Sequence, residues 1–165
     1  SQLIRALALR VLSSIRVKTI LQVVIHGITV ATKDSSPYVR KTAANAIPKV
    51  FALDEETLDI LLEPLALLLG DRSGMVIGSA VAALQEIAPS RYDLLHPHFR
   101  SLCGVLIDLD EWSQTIVLNA LLTYTRDNLR QPSYFEESEA LEAASDLAAN
   151  GEDFGGADNS TSFDD

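Results

Sequence analysis

Apolar side chains return along this chain at helical spacing, over 3–15 (Leu3, Leu7, Val11, Ile15) and over 17–31 (Ile20, Val23 or Val24, Ile28, Val30). That spacing gathers them on one face of a helix. Ser35-Ser36-Pro37 then supplies a cap residue and a proline suited to a first turn, which predicts a helix to about Leu53. Asp54-Glu55-Glu56 places acid at the next helix start, where the macrodipole favours it. That helix is expected to reach Leu69 and stop at Gly70, with Pro64 kinking or splitting it. Stretches 73–88, 91–108 and 111–129 complete about seven helices, with a bend or late start at Pro97.

The pattern also repeats. Asp34, Pro37, Val39, Arg40, Ala43, Ala46, Ile47 and Val50 return 37 residues on as Asp71, Gly74, Val76, Ile77, Ala80, Ala83, Leu84 and Ile87. A further 37 residues on stand Asp108, Gln114, Val117, Ala120, Leu121 and Tyr124, and a partial copy (Ile4, Arg5, Ala8, Val11, Leu12, Ile15) lies 35 residues upstream of the first. Such a period marks paired-helix repeats. One pair cannot bury its own apolar face, so pairs stack into a solenoid. Ala43, Ala46, Ala80, Ala83 and Ala120 let neighbouring helices approach closely. Surfaces of this kind bind proteins.

Composition changes the picture at the C-terminal end. The 165 residues carry a net charge of −10, yet 1–133 hold all 13 Lys and Arg against 13 acids. Residues 134–165 hold the other 10 acids and no base, with few apolar residues, so 1–133 read as the solenoid and 134–165 as an acidic, disordered tail. The balanced part is polarised, because residues 1–49 carry eight bases against Asp34 alone. The arbitrary ends suggest a piece cut from a longer solenoid. The longest apolar run, Leu58 to Leu69, is broken by Asp59, Glu63 and Pro64, which speaks against a membrane span. The single cysteine, Cys103, forms no internal disulfide and fits a reducing compartment.

Chemistry-bearing constellations are sparse. His96, His98 and Cys103 suggest a metal site only superficially: two histidines at i and i+2 share no helix face and no fourth ligand stands at a usual spacing. Ser13, Ser14, Ser79 and Ser101 lack a neighbouring base or a glycine-rich elbow, and no phosphate-cradling loop exists. No catalytic, cofactor or metal residue is therefore assigned, and an enzyme is not expected. Asp108, Asp110 and Glu111 read as helix-start caps. Leu106-Ile107-Asp108-Leu109-Asp110 matches a clathrin-binding peptide motif, but at a helix end Leu106 and Leu109 read as core. The basic N-terminal stretch reads first as a solvated face with ladder contacts between repeats, and second as an electrostatic docking face, above all for a protein partner; nucleic acid is disfavoured because no aromatics interleave the bases. Thr161 and Ser162, followed by Asp164 and Asp165, suit an acid-directed kinase.

Asp34 six residues before Arg40, followed by Ala43, Ala46 and Ile47, resembles the signature of HEAT repeats. The segments Leu3–Arg10, Ser36–Ala44 and Glu111–Gln114 resemble the trunk of a beta-adaptin. Pro89–His96, Arg100–Cys103 and Asp108–Trp112 are similar to the beta chains of the third heterotetrameric adaptor complex, although Ser113 replaces the glycine usual after that tryptophan. The resemblance implies an all-α, right-handed solenoid of HEAT/armadillo-like pairs. It also implies Arg–Asp ladders between repeats, incomplete here because Ile77 and Gln114 take the arginine position. Arg5, Asp34, Arg40, Lys41, Asp71 and Asp108 are thus the candidate ladder or docking residues. The implied role is that of a coat scaffold, cytoplasmic and peripheral on Golgi or endosomal membranes and transport vesicles, serving delivery to lysosome or vacuole. Implied partners are the medium, small and second large adaptor chains and an Arf-class small GTPase. The alternative is another helical-repeat transport receptor, binding cargo or a small GTPase directly.

Overall fold

The computed structural model describes residues 1–130, and among them the regular structure is helical throughout. In chain order the helices are α1 (Gln2–Leu12), α2 (Leu21–Ala31), α3 (Pro37–Phe51), α4 (Leu58–Leu69), α5 (Gly74–Ile87), α6 (Tyr92–Leu95), α7 (Phe99–Val105) and α8 (Glu111–Asn128). α6 and α7 form one interrupted rod, joined by a 3₁₀ turn at His96–His98 and closed by another at Leu106–Asp108. Counted so, the rods number seven, and the fold is the expected all-α solenoid. Residues 134–165, with Thr161 and Ser162, lie outside the described residues.

Local chemistry accounts for the boundaries. Ser36 has extended backbone (φ −87°, ψ 123°) and Pro37 takes the first helical position of α3, where its missing N–H costs nothing. α1 ends at Leu12, short of the expected Ile15, because the Ser13 and Ser14 hydroxyls turn back onto the Arg10 carbonyl. Pro97 breaks the sixth rod, as its ring removes a donor. Pro64 does not split α4, and Pro48, equally internal, does not split α3. Both prolines are buried, and packing on either side of each holds its helix together.

α1, α3 and α5 lie side by side as one layer, with α2, α4 and α6 as the other, and α2 and α4 also pack against α3 and α5. The core between the layers is aliphatic: Ile28, Ile47, Leu61, Leu65, Val76 and Val117 are fully enclosed. α8 continues the first layer. It meets α5 so closely that a Cβ on Gly78 would stand 2.2 Å from the Ser113 hydroxyl oxygen and 2.4 Å from its Cβ. Tyr124 on the same helix stacks on Phe99 (centroids 4.9 Å apart) and edge-on to Tyr92. Among the described residues, no helix is long and apolar enough to cross a membrane.

Gly78 sets the α5–α8 distance. Gly78→Ala is expected to lower stability by about 1–3 kcal/mol, the usual cost of overpacking a tight core. Ser113→Gly in the same chain should recover part of that loss, measured by urea unfolding followed by circular dichroism.

Candidate functional site

The turn that starts α3 and the turn that starts α5 are built alike. Asp34 accepts the Ser36 backbone N–H at 2.8 Å, and Asp71 accepts that of Ser73 at 2.9 Å, each carboxylate bridging its own turn. Each also receives an arginine from the preceding helix of the same layer. Arg5 on α1 donates Nε and Nη2 to Asp34 at 2.6 and 2.8 Å; Arg40 on α3 donates the same two nitrogens to Asp71 at 2.6 and 3.0 Å. These are fork-to-fork pairs, whose planar geometry fixes orientation as well as distance. Arg40 does more, since its Nη1 donates to the carbonyls of Asp34 (2.8 Å) and Ser35 (3.2 Å), tying its own turn to the next. The Ser36 hydroxyl, free of capping duty, donates to Gln2 at 2.7 Å across the same junction.

The two forks differ in exposure. Arg40 and Asp71 side chains are 18% and 7% accessible, against 48% and 13% for Arg5 and Asp34. Arg5's hydrogen bond, helped by the Ser36 N–H, holds the Asp34 carboxyl at about 2, well below its ordinary value. Burial pushes Asp71 up, but the Arg40 fork and the Ser73 N–H outweigh it and leave its carboxyl below the usual range.

No third fork follows. Ile77 stands at the arginine position and is buried, while Asp108 is exposed on a 3₁₀ turn. Here the junction closes by packing, with the Leu109 side chain seated against the Gly74 backbone. Asp110 starts α8 instead, accepting the Ser113 hydroxyl at 2.7 Å and its N–H at 3.2 Å. Gln114 keeps one remnant of the arginine's role by donating to the Ile107 carbonyl at 3.3 Å. In the clathrin-type stretch Leu109 is buried and Leu106 packs on the core, while Ile107 is 87% exposed.

Lys41 joins neither fork. It lies on the outer face of α3 with Tyr38, Asn45 and Lys49, beside Arg10 of α1. Sequence reasoning missed a looser contact on the second layer, Lys18 to Asp54 at 3.8 Å, residues 36 apart where the fork partners are 29 and 31 apart. It missed the aromatic junction as well, where the Tyr92 hydroxyl donates to Asp127 and His96 pairs with the Tyr124 hydroxyl. Partners 28 and 35 residues apart carry no local signal. His98 packs beside Gly70, and Cys103 is exposed. Among the described residues, no group of three or more His, Cys, Asp or Glu could hold a metal ion.

The family described as "Adaptin N terminal region" matches residues 1–157. Curated relatives agree with it. The chain is 52% identical over 132 residues to the AP-3 complex subunit beta of Dictyostelium discoideum, covering 80% of this chain and 12% of that protein. It is 48% identical over 136 residues to the AP-3 complex subunit beta-2 of Mus musculus (82% and 13%). Against the AP-3 complex subunit beta-1 of Homo sapiens it is 46% identical over 142 residues (86% and 13%). The chain thus spans about an eighth of the length of these relatives.

Arg40→Ala should cost about 2 kcal/mol, the scale of a lost charge-assisted hydrogen-bond set that leaves a shielded carboxylate unpaired. Arg5→Ala should cost less, and thermal unfolding of the two variants side by side gives the order. Acid should act through the same carboxylates. A depressed folded-state pKa contributes stability that is full above the unfolded value and is lost as pH falls through the folded one. For Asp34 that window runs from about 4 down to about 2, and Asp71, Asp93 and Asp110 are lowered in the same direction. Asp34→Asn should flatten the pH dependence of unfolding in that window; a slope equal to the parent's would show that the fork does not form.

Proposed function

The chain belongs to the adaptin N-terminal family, among the beta chains of AP-3 type, and from that premise we propose that it is part of a non-enzymatic scaffold subunit of a vesicle-coat adaptor complex. The subunit works by protein–protein contacts of its trunk, in intracellular transport from Golgi or endosomes to lysosome or vacuole, and it is cytoplasmic and peripheral to the membrane. The observation that carries this reading is the repeated fork. Arg5, Asp34, Arg40 and Asp71 act as repeat-ladder residues: they hold successive helix pairs in fixed register and leave the outer faces of the helices for partners. Its partners would be the medium, small and second large chains, and an Arf-class GTPase would supply the membrane cue.

The reading also divides the candidate residues by role. Arg5 and Arg40 have their guanidinium groups engaged within the stack, whereas Lys41 is open to a partner. Asp108, exposed and outside any fork, belongs to the surface. None of the relatives named above is a karyopherin-like transport receptor, and no observation favours that alternative.

Co-expression of the chain with AP-3 medium, small and second large chains, followed by size exclusion, tests the assembly. The medium chain should co-elute with it. Elution of this chain apart from all three would overturn the proposed role of this segment. Flotation with liposomes and GTP-loaded Arf-class GTPase then asks whether the complex, rather than the isolated chain, reaches the membrane.

A further inference from the structure

Four cations on the α1–α3 side stand in none of the ion pairs among the described residues: Arg10, Arg16, Lys41 and Lys49. The fold gathers them. Tyr38, Lys41, Asn45 and Lys49 succeed one another on the α3 face turned away from the core, at separations of three or four residues. With Arg10 of α1 and Ser13 just past its end they line a depression of about 340 Å³ that contains no carboxylate. A second recess of about 160 Å³ adjoins it through Ser13 and Lys49. Arg16 edges that recess, its walls are apolar (Leu12, Ile15, Leu53), and it too holds no carboxylate.

Two acids border the strip. Glu86 lines the next hollow along, beside Arg16 and Lys49. Asp110 is bonded to Ser113 and feels Lys41 only through space. Neither is within ion-pair distance of the four cations, so their charge is left for a ligand.

We propose that this groove docks an acidic peptide segment of a partner protein. Its carboxylates lie against Arg10, Lys41 and Lys49, and one bulky apolar side chain enters the recess beside Arg16. Shape favours a peptide over a bilayer. The charges flank concave hollows that a flat headgroup layer does not reach, and an apolar recess lies between them. Length agrees: Tyr38 to Lys49 covers about 17 Å at the rise of an α-helix, and five or six extended residues span about the same distance. Such a site goes beyond subunit assembly, because it recognises a short linear segment by charge pattern.

Fluorescence anisotropy on the 165-residue chain tests it. The probe is a labelled peptide of about eight residues, alternating aspartate and glutamate around one leucine. Its controls are the same peptide in the asparagine/glutamine form and vesicles containing phosphatidylserine. Binding should be saturable and weakened by salt. It should fall about tenfold in Lys41→Glu/Lys49→Glu, where two attractive contacts become repulsive. Lys33→Glu, an exposed change outside the groove, should stay within about twofold of the parent. Arg10→Gln serves as a second, milder variant should the double change disturb the thermal melt. Equal loss in Lys33→Glu, equal binding of the amide peptide, attachment to vesicles alone, or no binding at all would each overturn the proposal.

Discussion

A helix pair of about 37 residues cannot enclose its own apolar side chains, and everything else in this molecule follows from that shortage. Ile47, Leu65 and Val76 are fully buried in a core to which stacked pairs contribute together. Apolar burial has no direction, however, and by itself leaves neighbouring pairs free to slide or rotate. The Arg5–Asp34 and Arg40–Asp71 forks supply the direction. Each carboxylate both closes the turn that starts its helix and accepts an arginine from the helix before, so one residue sets local geometry and long-range register together.

This economy shapes what is left for partners. Arginines at the start of α1 and α3 look like docking residues when charge alone is counted, yet both are engaged inside the stack. Among the described residues, the cations in no ion pair include Lys41, Arg10 and Lys49 farther along the same helices, and Arg16 in the turn after α1. A scaffold of this type separates the charges that hold it together from those it presents. Substitutions aimed at binding therefore belong on the second set, since changing the first disturbs the frame that positions them.

Much of the architecture was legible in the sequence. Pro37 after Ser36, the acids before α4 and the 37-residue return of small residues carry the helix starts and the stacking in local chemistry. The pairing of Arg40 with the next repeat's Asp71 was legible too, but only through the resemblance to HEAT repeats. What escaped depends on distance in space. Pro64 reads as a kink or a split, and α4 is not split there, because neighbouring helices hold it on both sides. The contact of Gly78 with Ser113, and the junction of Tyr92, His96, Phe99 and Tyr124, join residues that no periodic pattern links. Likewise, charge counting finds a basic stretch over residues 1–49, while only the folded arrangement divides its arginines into those inside ion pairs and those outside them.

The junction before α8 departs from the two before it. Where Arg and Asp would meet, Ile77 is buried and Leu109 rests on Gly74. A fork resists twisting because its hydrogen bonds weaken steeply with angle, whereas an apolar seat keeps most of its energy through a small rotation. Torsional stiffness is thus uneven along the stack, high across α1, α3 and α5 and lower between α5 and α8. A load applied at the two ends would concentrate its bending at that softer joint and leave the basic groove on α1 and α3 undistorted.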